Sequence, residues 1–211
     1  MRTIMTSAWV DRWVTGWCNS RQMQRCRDGD SWLVEVGADG RSQERVASTA
    51  SLTEIDRLVA VTSEPDVRLT LIGELDASMH DAVAVLDPAN TSECMMSARI
   101  QPGIVPTEVE IEQDGPVAYA RIHMDGELAA HGQVAVAASD AVFDRIRTMS
   151  AFQRRGLGRL IMTGLAAWAA EQRATTGILV ASADGRKLYE SLGWSQVAPI
   201  AMFRGRGDER G

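Results

Sequence analysis

Residues 146–168 read IRTMSAFQRRGLGRLIMTGLAAW, and the period of the apolar residues changes inside this stretch. Phe143, Arg145 and Arg147 alternate with Asp144, Ile146 and Thr148, a period of two that predicts a strand. From Leu157 onward apolar residues return at Ile161, Leu165 and Trp168, the spacing of a helix. The connector between them is Gln153-Arg154-Arg155-Gly156-Leu157-Gly158. Its glycines let backbone approach a ligand closely, and the helix that follows begins with NH groups that have no intrahelical acceptor. Such a helix start, at the positive end of the dipole, attracts phosphate. Arg154, Arg155 and Arg159 add positive charge in a chain of net charge −6.

Spacing separates the kinds of phosphate loop. A dinucleotide fingerprint needs a third glycine where Ile161 stands, and a Walker loop needs Gly-Lys-Ser/Thr, whereas the only lysine is Lys187. What remains is Q-x-x-G-x-G between a strand and a helix. In this the sequence resembles the GNAT acetyltransferase superfamily, whose R/Q-x-x-G-x-G/A loop holds the pyrophosphate of acetyl-CoA. A second match lies downstream. Residues 176–194 read TGILVASADGRKLYESLGW, an apolar strand followed by a short helix that ends at Gly193, with Trp194 placed to pack back. The superfamily carries L-Y-x-x-L-G-F/W there, and Leu188 to Trp194 match it. Ser182 stands where the family often has Asn, and Gly185 where it has Ala. The resemblance covers residues 105–203.

Composition sets outer bounds. The chain has 211 residues, 45% of them hydrophobic, enough to bury a sizeable core as one large or two small domains. Its acidic balance argues against a nucleic-acid partner. Cys18, Cys26 and Cys94 are odd in number and lack metal-ligand spacing, so neither a disulfide framework nor a zinc site is indicated. His80, His123 and His131 show no metal-ligand spacing either. Without a signal peptide or an apolar run of about 18 residues, a cytoplasmic protein with no membrane partner is expected. Arg206-Gly207-Asp208 and Asn90-Thr91-Ser92 then read as chance matches to adhesion and glycosylation motifs.

Along the chain, Trp9, Trp13 and Trp17 fall on one helix face that Ser7 is placed to cap, a stripe suited to core packing or to lining a pocket. Residues 31–36 and 43–47 read as strands, and Ser51-x-x-Glu54 has the form of a capping box opening a helix with Leu52, Ile55, Leu58 and Val59 inward. A strand at 67–72, a helix carrying Met79, Val83 and Leu86 and stopped by Pro88, and a strand at 91–100 follow. Gln101 to Thr107, with Pro102, Gly103 and Pro106, is the candidate boundary. Strands at 108–112, 117–123 and 128–137 then lead to the strand before the loop. The predicted class is α+β: a GNAT-like, mixed and mostly antiparallel sheet flanked by helices in domain 105–211, preceded by an additional α+β half, 1–100. The element order from Gln43 to Ile100 parallels that from Ala141 to Phe203, as in a degenerate GNAT-like copy. Its loop, Ala47-Ser48-Thr49-Ala50-Ser51, lacks glycine and arginine and so offers no second CoA site; an unrelated α+β extension is the other reading.

The resemblance implies an acetyl-CoA-dependent N-acetyltransferase that uses acetyl-CoA as acyl donor. A small-molecule or peptide amine would attack directly in a ternary complex, without a metal, in a monomer or homodimer. Backbone NH groups of Ile146, Arg147 and Thr148 are expected to face the acetyl and pantetheine part. The remaining cofactor contacts fall on Gln153, Arg154, Arg155, Gly156, Leu157, Gly158, Arg159, Ser182 and Tyr189. Tyr189 is the expected acid for the departing thiolate, since a phenol stays protonated at neutral pH. Asp144, read as sharing the strand face of Ile146 and Thr148, is the expected base, with Glu110, Glu112 and His123 behind it. A CoA-binding or regulatory module without turnover is the other functional class, and a nucleotide-binding protein a third.

Overall fold

The computed structural model describes residues 2–207, so Asp208 of the adhesion-like tripeptide lies outside the described residues. The first helix, α1 (Arg2–Arg21), is longer than the tryptophan stripe predicts. Ser7 therefore sits inside it rather than capping it, and its hydroxyl pairs with that of Ser48 at 2.9 Å. Trp13 and Trp17 are buried, which assigns the stripe to packing.

The described residues form two compact units. One takes residues up to Val14, Gln22–Met95 and the chain from Val197; the other takes Thr15–Arg21 and Met96–Gln196. This partition is interleaved, unlike the expected division at 101–107.

The first unit opens with β1 (Gln24–Asp28), β2 (Ser31–Ala38) and β3 (Arg41–Ser48), paired antiparallel in turn. The first of these was not foreseen: QRCRD is a polar edge strand without an apolar alternation to announce it. Helix α2 (Leu52–Ala60) then carries the chain to β4 (Val67–Ile72), parallel to β3. The Ser51 hydroxyl accepts from the Glu54 NH at 3.3 Å, but the Glu54 carboxylate turns to Arg57, so only half of the expected capping box forms. After α3 (Ala77–Val83) comes β5 (Asp87–Arg99). Ile55, Leu58, Leu69, Leu71, Met79, Val83 and Phe203 make one core here. Phe203 arrives from the last strand, β11 (Ser195–Arg204), whose residues 200–204 pair antiparallel with 72–68 of β4. That pairing is why the C-terminal segment belongs to this unit.

In the second unit β6 (Glu110–Asp114), β7 (Val117–Met124), β8 (Glu127–Ala137) and β9 (Asp140–Thr148) form an antiparallel meander. Helix α4 (Leu157–Glu171) crosses to β10 (Thr176–Ala181), parallel to β9. Helix α5 (Ala183–Glu190) follows. The residues of β5 from Met96 flank β10, where the Ser97 hydroxyl donates to the Gly177 carbonyl at 2.8 Å. Helix α4 packs on the sheet through Ile161 and Leu165. A Cβ on Gly132 of β8 would lie 2.8 Å from Ile161, so only glycine admits the helix there. On the other sheet face Gly16 of α1 lies against Val142, too close for any side chain; that contact ties Thr15–Arg21 to this unit. The architecture is mixed α+β with mostly antiparallel pairing, as expected.

Candidate active site

The site begins where β9 stops behaving as a regular strand. His131 lies opposite Arg147 and Gln133 opposite Asp144, so Arg145 and Ile146 together face the single residue Gly132. This is a β-bulge, and Arg145 takes φ 54°, a left-handed conformation that a bulge usually gives to glycine. The extra residue reverses the alternation. Asp144 points to the α1 face, while Ile146 and Thr148 point to the α4 face, Ile146 lying at the same spot as Gly132 and Ile161. Asp144 therefore does not share a face with Ile146 and Thr148, contrary to expectation.

The bulge also ends the pairing with the neighbouring parallel strand. The β10 ladder runs from Thr176 opposite Asp140 to Leu179 opposite Phe143 and goes no further. Beyond it, the β10-facing edge of residues 144–148 is open, and an extended ligand can take the place of the missing strand partner.

At the end of that opening the chain makes a short 3-10 turn, Ser150–Phe152, and enters the connector. Arg154 has φ 65° and Gly156 φ 80°. Gly156 is the N-cap of α4 and contributes no side-chain cap. Among the described residues the backbone NH groups of 154–158 have no acceptor within the protein. Gly158 closes the corner: a Cβ there would lie 3.1 Å from Leu188 and 3.6 Å from the Thr148 hydroxyl. The start of α4, the end of β9 and α5 thus meet at one point. Gln153, Arg154 and Arg155 are exposed beside it, with Arg155 stacked 5.4 Å from the Phe152 ring centre. Arg159 is tied instead to the Ser191 hydroxyl at 2.9 Å. The Ser182 hydroxyl, expected to meet the cofactor, caps α5 by accepting from the Gly185 NH at 3.2 Å.

Tyr189 is buried on α5, its ring tilted 6.2 Å from Trp194. Its hydroxyl has no hydrogen-bond partner among the described residues. Burial, then the charge of Asp144, push its pKa up to about 12, so it is a neutral phenol at physiological pH. The coupling also places the hydroxyl within Coulombic reach of Asp144.

Asp144 itself is fully engaged. Arg21 grips it with two donors, Nε at 2.6 Å and Nη2 at 2.8 Å, and the Ser20 hydroxyl and Gln133 amide each lie 3.3 Å from Oδ2. Both carboxylate oxygens are thereby committed to donors, two of them in a charge-assisted pair. The geometry thus gives Asp144 a structural task, fixing the end of α1 to the bulged strand. Of its stand-ins, Glu112 pairs with Arg121 at 2.6 Å, and Glu110 lies 3.4 Å from His123.

Sequence reasoning passed over His131 as a site residue. It stands directly between Arg121 on β7 and Arg147 on β9. Burial, then Arg147, Arg145 and Arg121, lower its pKa below the ordinary 6.5, so the imidazole is neutral at pH 7 and able to accept a proton. The only sequence signal was its odd place among the alanines of β8. Among the described residues no group of three or more His, Cys, Asp or Glu side chains could hold a metal ion, and no helix is long and apolar enough to cross a membrane.

Comparison with known proteins fits this geometry. A family model described as the acetyltransferase (GNAT) family matches residues 81–194, more than half of the chain. A GCN5-related N-acetyltransferase from Kribbella flavida superposes with a TM-score of 0.69 at 14% identity, covering 97% of each chain. A tandem GNAT protein from the clavulanic acid biosynthesis pathway gives 0.53 at 10% identity, covering 84% of this chain and 80% of its own. A GCN5-related N-acetyltransferase-like protein from Streptococcus suis gives 0.53 at 10%, covering 86% and 88%. At these identities the likeness is one of fold. No curated protein matches the chain.

Proposed function

Since the chain belongs to the GNAT acetyltransferase family, we propose that it transfers the acetyl group of acetyl-CoA to an amine. The observation that carries this reading is the run of unsatisfied NH groups at 154–158, next to the open edge of β9. Those amides, the α4 dipole and the exposed Arg154 and Arg155 suit a pyrophosphate. The edge at 146–148 suits a pantetheine amide and the thioester carbonyl, whose developing oxyanion needs fixed donors. Tyr189 is the group to protonate the departing thiolate. His131, neutral and beside the bulge, is the group of the right kind to take the proton that the amine loses. The acceptor is a small molecule or peptide, the enzyme a cytoplasmic monomer or homodimer.

The test is thermal denaturation with acetyl-CoA, CoA, ATP and NAD. At about 100 times its dissociation constant a ligand stabilises by ~2.7 kcal/mol, a rise of roughly 5 to 10 °C for a chain of this size. Acetyl-CoA and CoA are expected to give it, ATP and NAD not; the opposite pattern refutes the reading. Arg155→Glu sets a carboxylate against the pyrophosphate and should remove most of the shift. The engagement of Asp144 by Arg21 favours one second reading, a CoA-binding module without turnover. Release of CoA with a panel of amines separates the two.

The parallel unit β3–α2–β4, followed by α3 and β5, repeats the order β9–α4–β10, α5 and β11. This supports reading the N-terminal half as a degenerate copy. Ser51 caps α2 with its own hydroxyl, which fills the position where an anion would otherwise bind.

A further inference from the structure

The bulge that opens the cleft also gathers positive charge on the side away from α4. Arg121, His131 and Arg147 are directly opposite one another on β7, β8 and β9, a straight row across three strands. Directly opposed residues lie close enough to interact. His131 has the parity of Gln133, which reaches the Ser20 carbonyl at 2.8 Å, so the row lies on the α1 face, just beyond the helix end at Arg21. Arg145 adds a third guanidinium from the bulge itself.

Charge matching on this face is incomplete. Asp144 is taken by Arg21, Glu112 by Arg121, and Glu110 lies beside His123. Arg145 and Arg147 have no carboxylate partner among the described residues. Two unpaired guanidiniums next to a partly buried imidazole, in a chain with six more acids than bases, are an arrangement that self-repels unless an anion joins it. The positive φ of Arg145 adds backbone strain at the same spot.

The phosphate-binding connector leads into α4, so the donor enters from the α4 face and the acceptor is left the opposite one. We propose that the acceptor is a primary amine that also carries an anionic group, a carboxylate or a phosphate, and that Arg147 and Arg145 bind that group. A guanidinium meets either anion with two parallel NH donors. Anchored there, the amine is held beside His131 and the open edge of β9. This inference rests on the acetyl-transfer reading and narrows its acceptor.

The experiment measures CoA release from acetyl-CoA with matched pairs: tyrosine against tyramine for the carboxylate, and O-phosphoethanolamine against ethanolamine for the phosphate. One anionic member is expected to exceed its neutral partner at least tenfold in kcat/KM, and which pair does so identifies the anion. Arg147→Glu should collapse or invert that ratio through KM, and Arg147→Lys should restore part of it. Equal use of both members of each pair overturns the inference while leaving acetyl transfer intact, as does an Arg147→Glu variant that slows both members equally. If no pair turns over although acetyl-CoA still raises the melting temperature, the inference is again wrong. If neither acetyl-CoA nor CoA raises it, the acetyl-transfer reading falls and takes the inference with it.

Discussion

Replacing Tyr189 by Phe removes one oxygen and keeps the ring that packs on Trp194. Because the hydroxyl has no partner among the described residues, the change orphans no other group there. Stability near neutral pH should move by less than about 1 kcal/mol, within about 2 to 4 °C. Chemistry should respond far more. With its pKa up at about 12, the phenol keeps its proton through the pH range of most assays and can give it to a thiolate. Its loss should lower turnover roughly 10²-fold, read as CoA release at saturating acetyl-CoA, with CoA affinity unchanged. The same shift has a stability signature. A folded-state pKa above the ordinary 10 contributes stability that is whole below pH 10 and is lost as pH rises towards 12. Two units correspond to at most about 3 kcal/mol. Urea unfolding at pH 9 and 11.5 should show the wild type losing more stability than Tyr189→Phe by up to that amount. If the variant turns over within twofold of wild type and loses stability in parallel with it, Tyr189 only fills space.

His131→Gln should cut turnover by 10² or more; in the wild type, activity should hold down through pH 6.5 and fall only at more acidic pH, because burial and then the neighbouring arginines lower this pKa. An acid limb centred above 6.5 would assign the proton to another group. Asp144→Asn should lower the melting temperature by several degrees, since it strips a bidentate partner from Arg21, yet leave the shape of the pH profile unaltered; a vanished limb would restore Asp144 as the base. Deleting residues 1–100 should give an insoluble chain, because it removes Thr15–Arg21 and Met96–Arg99 from the second unit; a soluble, fully active fragment refutes this.

The connector and the helix after it were legible because the signals there are local. Two glycines, three arginines and a change of period need no partner elsewhere in the chain. The LYESLGW run was legible for the same reason, and Gly193 does end its helix with φ 83°. The bulge was hidden because Arg145, not glycine, takes the left-handed turn, so nothing in the residue types announced that the faces exchange. The engagement of Asp144 was hidden because its partner lies 123 residues away. Ser182 has a second task that residue type alone did not announce: its hydroxyl accepts from the Gly185 NH as the cap of α5.

The pairing of β11 with β4 has a bearing on how the protein is made. Leu69, Leu71 and Ile72 are fully buried, yet the strand that covers one edge of theirs leaves the ribosome long after them. Between residues 72 and 200 the ribosome must add 128 residues, on the order of ten seconds at ordinary elongation rates. Throughout that interval β4 presents an unpaired apolar edge of the kind that recruits other chains. The first unit, although begun first, is therefore finished last, and its yield in a cell depends on how well nascent chains are shielded during that wait.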